Sequence, residues 1–172
     1  MVGPYYTLES MQAGNSIGYL VKRCGLLVTQ IAERRFESQP ITFTQWTLLA
    51  QLSQHSHLTP TELSKNLGHD MGALTRVVDD LEELKLVRRE RSEHDRRAVR
   101  ITVTAEGRRL AKTTMPVVVD LANELVAPYS KAETDLLISL LQRMLGRIGR
   151  VAEQPAEERA AMPRPLAGRR RK

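Results

Sequence analysis

Residues 58–107 read LTPTELSKNLGHDMGALTRVVDDLEELKLVRRERSEHDRRAVRITVTAEG. This run contains two start signals for helices. Thr59 precedes a proline at the first helical position and Glu62 at the third, and Asp70 is a capping residue before the next apolar run. Gly68, between the two signals, suits the left-handed end of a helix. The segment therefore predicts two short helices joined by a tight turn, which is a helix-turn-helix.

The hydrophobic period changes after Leu86. Before it, apolar residues recur at helical spacing, namely Leu74, Val77, Val78, Leu81 and Leu84. After it, residues 99–103 alternate apolar and polar side chains, as a half-buried strand does. Residues 87–90 supply a partner strand, and residues 92–95 have the chemistry of a turn. A hairpin directly after a helix-turn-helix predicts a wing.

Further helices flank this segment. A stripe that begins at Ile17 predicts a helix of roughly 20–25 residues. Thr42 opens a T-x-x-Q capping box, and Thr104 and Ser130 are caps for two helices behind the hairpin. Pro116 is expected to bend the first of these two. The predicted fold is mainly helical, with a small β-hairpin wing.

The predicted elements divide the chain into functional regions. They are an N-terminal arm (1–13), a helical dimerisation region (14–38 and 108–151), a winged helix-turn-helix DNA-binding domain (39–107) and a basic flexible tail (152–172). The terminal helices carry more apolar surface than a small winged domain could cover. We expect a second copy of the chain to cover it, with closure of a monomeric bundle as the alternative.

Composition excludes several classes of protein. The chain has 172 residues, with 41% hydrophobic and 27% charged, as in a globular domain. A lone cysteine, Cys24, excludes a disulfide framework within the chain and a zinc site with several cysteines. No stretch resembles a signal peptide or a membrane span. We expect a cytoplasmic protein with no membrane partner and no cofactor.

The charge favours a polyanionic partner. Lysine and arginine exceed aspartate and glutamate by 26 − 20 = 6, and the pI is near 9.8. Part of the surplus lies in residues 152–172, either as a solvated terminus or as an arm that touches phosphate. The other concentration is at residues 87–100, where arginines on a protruding hairpin favour nucleic acid.

The second helix of the helix-turn-helix supplies the candidates for major-groove contact. On a helical wheel its outer face and flanks at the start hold Met71, Gly72, Ala73, Thr75 and Arg76. Arg76 can bind a guanine edge or a phosphate, and its alternative is an ion pair with Asp79 or Asp80. Asp79 and Glu83 would repel phosphate, so we expect both to point away from the duplex.

Other residues are candidates for the DNA backbone. The first short helix offers Thr59, Thr61 and Lys65. On the hairpin, Arg91 and Arg96 are expected to meet phosphate. Asp95, beside Arg96 and Arg97, can brace the hairpin tip and leave one arginine for a minor groove.

These motifs together resemble the MarR family of bacterial winged-helix transcription regulators. The resemblance covers roughly residues 17–149. It rests on an L-x-x-x-x-L-V-x-R run at residues 81–89, D-x-R at 95–97 and T-x-x-G at 104–107. The chain departs from the family at Lys85, where glycine is usual, at Val103, where leucine is usual, and at residues 71–73, where polar side chains are common.

The resemblance implies a homodimeric repressor that binds pseudo-palindromic double-stranded operators. It assigns the minor-groove role to Arg97. It also implies a pocket for a small aromatic acid or phenol where the dimer helices meet the winged domain. Our candidates for that effector are Tyr19, Arg23, Trp46 and His57. For three of them there is an alternative interpretation: Trp46 as a core residue, Arg23 as a surface cation and His57 as a loop residue.

The sequence offers less support for other functions. Some relatives sense peroxide through an N-terminal cysteine, but Cys24 lies on the apolar stripe, which predicts a buried, inert thiol. His55 and His57 have no neighbouring carboxylate or cysteine, so no metal site is expected. A glycine-rich phosphate loop, a nucleophile elbow and a paired-histidine helix are all missing from the sequence, so we do not expect an enzyme. A helical interaction module whose wing binds protein remains as an alternative.

Overall fold

The computed structural model describes residues 5–55, 57–68, 70–91 and 99–153. Within these ranges a short 3-10 turn is followed by helices α1 to α6, with strands β1 and β2 between α4 and α5. Their bounds are α1 Ile17–Phe36, α2 Phe43–Gln54, α3 Pro60–Leu67, α4 Met71–Glu83, β1 Val87–Arg91, β2 Val99–Val103, α5 Ala105–Val126 and α6 Lys131–Glu153. The predicted mainly helical fold with a hairpin wing is confirmed.

The predicted N-caps, Thr59 and Asp70, begin the two helices of the helix-turn-helix. The Thr59 hydroxyl accepts the Glu62 N–H at 3.2 Å, and the Glu62 carboxylate accepts the Thr59 N–H at 2.8 Å. These bonds from Thr59 lower the pKa of Glu62. Helix α3 ends at Gly68, whose φ of 68° lies in the left-handed region. The pair Thr59 and Glu62, three positions apart, thus sets where α3 begins, and Gly68 sets where it ends.

The hydrophobic core lies within the winged domain. Its fully buried side chains come from α2, α3, α4 and the hairpin, and the largest are Leu48, Leu49, Leu52, Leu63, Leu74, Leu81, Ile101 and Val87. The hairpin is antiparallel, with Val87 opposite Val103 and Arg91 opposite Val99. Leu58 extends this sheet by a bridge to Ile101, through N–H to carbonyl bonds of 3.1 and 2.7 Å. The hairpin is therefore attached to the core at its base.

Helix α1 is tied to α2 by a side chain that the sequence pattern did not single out. The Glu33 carboxylate accepts the backbone N–H groups of Phe43 and Thr44 at 2.9 and 3.0 Å, and the Thr44 hydroxyl at 2.6 Å. These N–H groups belong to the first turn of α2, where backbone N–H groups have no acceptor within the helix. Glu33 thus adds a second cap to the one made by Thr42.

The turn between α4 and β1 carries an uncommon backbone conformation. The Leu86 N–H donates to the Leu81 carbonyl at 2.8 Å and the Lys85 N–H to the Glu82 carbonyl at 2.9 Å, which is the Schellman pattern. Lys85 has a φ of 59°. Among the residues that the structure describes it is the one non-glycine residue with positive φ.

Replacing Lys85 by glycine should stabilise the protein. A left-handed φ costs a residue with a side chain about 1–2 kcal/mol, and glycine avoids this cost. Glycine also loses more conformational entropy on folding, which offsets part of the benefit, so we expect the free energy of unfolding to rise by about 0.5–1 kcal/mol. Urea unfolding measures the difference. Lys85→Ala is the matched control, since alanine keeps the strain and should show no gain. Equal stabilities for the glycine and alanine variants would refute this explanation.

The chain forms two compact units, Met1–Ala122 and Asn123–Lys172. In the first unit, α1 exposes large apolar side chains, including Tyr19, Leu20, Leu26 and Leu27. In the second unit none of residues 131–152 of α6, for which burial is described, is buried. Its exposed apolar residues are Leu136, Leu137, Ile138, Leu140, Leu141, Leu145, Ile148 and Val151. In the described parts of the chain we find no helix with the length and apolar character of a membrane span.

Two local expectations need correction or refinement. Cys24 is exposed in the single chain, so the expectation of a buried thiol is wrong. The physical reason is that the stripe on α1 on which it lies is itself uncovered within one chain. Helix α5 runs as one element from Ala105 to Val126, with Pro116 inside it.

Candidate nucleic-acid interface

The first two turns of α4 form an exposed surface held by a buried face. Leu74, Val78 and Leu81 are buried in the core, which fixes the rotation of the helix about its axis. On the other side Gly72, Thr75 and Arg76 are exposed, Met71 is 47% exposed, and Ala73 is half-buried. The structure therefore brings all five predicted groove residues to one end of one helix.

Asp70 holds the beginning of α4. One carboxylate oxygen accepts the N–H groups of Gly72 and Ala73, each at 2.9 Å. The bond from Ala73 is the largest cause of the lowered pKa of Asp70, and the charge of Arg76 contributes in the same direction. Because the carboxylate uses the free amides of the first turn, the residues that follow it are held in helical geometry.

Thr75 and Arg76 offer different chemistry to a groove. The Thr75 hydroxyl donates to the Met71 carbonyl at 2.7 Å, so its proton is used within the helix while the exposed side chain keeps a methyl group and an acceptor oxygen. Arg76 presents a guanidinium with donors in a fork that matches a guanine edge or a phosphate. Asp79, which was one alternative partner for Arg76, pairs with Arg89 instead.

On α3 the three predicted backbone contacts have unequal roles. Thr59 is half-buried, and its hydroxyl donates to the Glu62 carboxylate at 2.8 Å, so its first role is to cap the helix. Thr61 and Lys65 are exposed on the same short helix. All three predictions of DNA contact stay predictions.

The wing is described only at its base. Arg91 is exposed at the end of β1, and Arg88 is exposed and lies 3.5 Å from Glu90. Asp95, Arg96 and Arg97 lie outside the described residues. Their predicted roles as brace, phosphate contact and minor-groove contact therefore stay predictions.

A cluster of Arg89, Asp79 and Glu82 was not predicted from the sequence. The Arg89 guanidinium binds both Asp79 and Glu82 of α4, and the Arg89 backbone N–H donates to Glu82 at 3.0 Å. Partial burial lowers the pKa of Arg89, but the hydrogen bonds and charges of the two carboxylates outweigh burial and raise it overall. The sequence signal that could have indicated this cluster is a pair of acidic residues, three positions apart at the end of a helix, followed by an arginine-rich strand.

The effector candidates do not share one environment. Tyr19 and Arg23 are exposed on α1, where an Arg23 amino group donates to the Tyr19 hydroxyl at 3.3 Å. Trp46 is 9% exposed, its indole N–H donates to the Ala111 carbonyl at 3.1 Å, and its ring stacks on Phe43. His57 is half-buried between α2 and α3. Trp46 thus lies in the core, which was the alternative interpretation of this residue.

Within residues 5–55, 57–68, 70–91 and 99–153 no three histidine, cysteine or carboxylate side chains gather closely enough to hold a metal ion.

Comparison with known proteins points to one family. Residues 39–98 match the MarR family. The chain is 27% identical to the transcriptional repressor MprA of Escherichia coli K12 over 139 residues, which are 78% of this chain and 79% of MprA. It is 28% identical to the organic hydroperoxide resistance transcriptional regulator of Bacillus subtilis over 109 residues, which are 63% of this chain and 74% of that regulator.

The chain is also similar to a solved structure of a DNA-bound protein. A mutant MarR from Escherichia coli complexed with operator DNA is 28% identical, with 75% of this chain and 93% of that chain covered and a TM-score of 0.65. Both the order of elements and the motifs around the hairpin therefore lead to the same assignment. Over its winged helix-turn-helix segment the chain matches the MarR family, and over about three quarters of its length it is similar to winged helix transcriptional regulators of that family.

Proposed function

We propose that this chain is a homodimeric repressor that binds a specific, pseudo-palindromic double-stranded DNA site through α4 and the wing. The observation that carries the proposal is the exposed start of α4. Asp70 caps it, the core fixes its rotation, and Gly72, Thr75 and Arg76 point outward from it. The family consists of regulators, which agrees with the prediction that the chain is not an enzyme.

The dimer is argued from uncovered apolar surface. Monomeric proteins rarely expose contiguous apolar patches larger than a few hundred Å². Helix α6 exposes leucines and isoleucines along its length, and α1 exposes a stripe of its own. A second copy of the chain is the partner that supplies matching apolar faces. Two-fold symmetry would then present two copies of α4 to half-sites about one helical turn, roughly 34 Å, apart.

Salt dependence separates DNA binding from the alternative of a protein-binding module. Fluorescence anisotropy on a duplex from the protein's own promoter region should give an affinity that falls steeply with salt. If each copy neutralises about three phosphates, the log–log slope is about −5, since each phosphate contributes about −0.9. A scrambled duplex of equal length is the control. Equal affinity for both duplexes, or a slope near zero, would overturn the proposal.

We further propose that a small aromatic anion releases the repressor from DNA. Tyr19 and Arg23 support this, because a guanidinium pairs with a carboxylate while the neighbouring phenol ring offers an aromatic surface. The proposal rests on these two residues, since the indole of Trp46 is already packed in the core.

The test for an effector is a panel of aromatic acids added to the protein–DNA complex. An effector should lower the affinity for DNA, and Arg23→Met should weaken its action while leaving DNA binding in its absence unchanged. Lys22→Met, one residue away on α1, is the control for loss of a positive charge. If no acid releases DNA, or if both variants respond as the natural chain does, the effector site is wrong and the DNA-binding proposal still stands.

A further inference from the structure

Two carboxylates lie on the helix that we place against DNA. Asp79 and Glu82 are on α4, and their side chains are 51% and 39% exposed. An unpaired carboxylate near a phosphate backbone lowers affinity by charge repulsion. Their presence on a DNA-reading helix therefore needs an explanation.

Arg89 of β1 pairs with both. One guanidinium nitrogen binds Asp79, a second binds Glu82, and the Arg89 backbone N–H donates to the other Glu82 oxygen at 3.0 Å. A single residue thus makes three charge-assisted hydrogen bonds from the hairpin to α4. The planar fork of an arginine is suited to two carboxylates at once, whereas a lysine would meet them as a point charge.

The contact spans a junction that apolar packing leaves incomplete. Between α4 and the hairpin there is a crevice of about 240 Å³, and its lining includes Met71, Thr75, Arg89 and Val99. Ile101, which also lines this crevice, is fully buried, as is Leu81. Arg89 lines this crevice, and its bonds connect the hairpin directly to α4.

We propose that Arg89 is a positioning residue for DNA binding: by pairing with Asp79 and Glu82 it holds the wing against α4 and cancels the repulsion that these carboxylates would exert on phosphate. This inference rests on the proposed DNA-binding function. It assigns Arg89 a role that does not require contact with DNA. It also makes Asp79 favourable for binding, although its charge alone would be unfavourable.

The sign of the Asp79→Asn effect tests the proposal. In the natural chain, Asp79→Asn should weaken DNA binding about fivefold, because it loosens Arg89; coupling between neighbouring charged residues has this size. In the Arg89→Met background the same substitution should strengthen binding, because Asp79 is then an unpaired charge. Arg89→Met by itself should cost about 10- to 30-fold, from lost positioning and repulsion together. Anisotropy with one duplex measures all four proteins.

Controls separate positioning from stability and from general charge. Glu83→Gln removes an exposed carboxylate of the same helix outside the cluster and should leave binding equal or slightly stronger. Circular dichroism melting defines a temperature at which each variant is folded. If Arg89→Met does not fold, Asp79→Asn and Glu82→Gln still decide the matter, because both must weaken binding.

Stronger binding by Asp79→Asn in the natural chain would overturn the proposal, since it would mean that Arg89 contacts phosphate directly and is freed by the change. An effect of the same sign in both backgrounds would overturn it as well. Failure of the natural chain to prefer any duplex would instead overturn the proposed function, and the two failures are distinguishable.

Discussion

Replacing Gly107 by alanine should destabilise the protein by about 3 kcal/mol or prevent folding, at the upper end of the cost of overpacking. A Cβ atom at this position would lie 2.1 Å from the Leu86 carbonyl oxygen and 2.9 Å from a methyl group of Val103. The Leu86 oxygen also accepts the Thr104 N–H at 3.0 Å and the Thr104 hydroxyl at 3.1 Å. Neither backbone can retreat without breaking these bonds.

The measurement is urea or thermal unfolding of the purified variant. Gly18→Ala is the matched control, because a Cβ added there meets no atom of the described residues within 4 Å, apart from its two chain neighbours and the backbone of its own helix. That substitution should be neutral or stabilising by up to about 1 kcal/mol, the usual difference between glycine and alanine in a helix. If Gly107→Ala unfolds at the same denaturant concentration as the natural chain, the packing of α5 under the turn before β1 is wrong.

Replacing Arg76 by alanine should lower the affinity for the specific duplex by about 1–3 kcal/mol, or about 5- to 150-fold. Arg76 is exposed on the second turn of α4, and Asp79, its nearest alternative partner along the helix, is engaged by Arg89. If its guanidinium reads a guanine, the loss falls mainly on the specific duplex and the salt slope is nearly unchanged. If it meets phosphate, affinity falls equally for random DNA and the slope shrinks by about 0.9.

Arg109→Ala is the control for loss of positive charge. Arg109 is exposed on α5 and pairs with Glu106. Its removal should change affinity much less than removal of Arg76. Equal effects of the two substitutions would show that net charge, rather than the surface of α4, drives binding, and would contradict the proposed role of Arg76.

The helix boundaries could be read from the sequence because caps are local. Thr59 with Glu62, Asp70 with Gly72 and Ala73, and Ser130 with Glu133 all bond across two or three residues. Such pairs depend on residue type and spacing, and hardly on the rest of the fold. The same holds for the alternation of residues 99–103, which the structure confirms as β2.

The candidate site was readable only in part. The periodicity of α4 correctly divided its buried face from Gly72, Thr75 and Arg76. The ion-pair partner of Asp79 could not be predicted from the sequence. Arg89 lies ten residues away on β1, and the position of β1 beside α4 depends on how the core packs. Periodicity also led to the wrong prediction that Cys24 is buried. An apolar stripe indicates a contact surface, but it does not indicate whether the same chain or another one covers that surface.

The sequence by itself determined the order and limits of the helices, the hairpin and the family resemblance, since these follow from interactions among residues a few positions apart. Only the tertiary structure decided that Trp46 bonds to Ala111, 65 residues away, that Glu33 caps α2, and that Arg89 joins the hairpin to α4. These contacts require distant segments to meet at hydrogen-bonding distance. That meeting depends on how the whole core packs, which no local pattern of residues specifies.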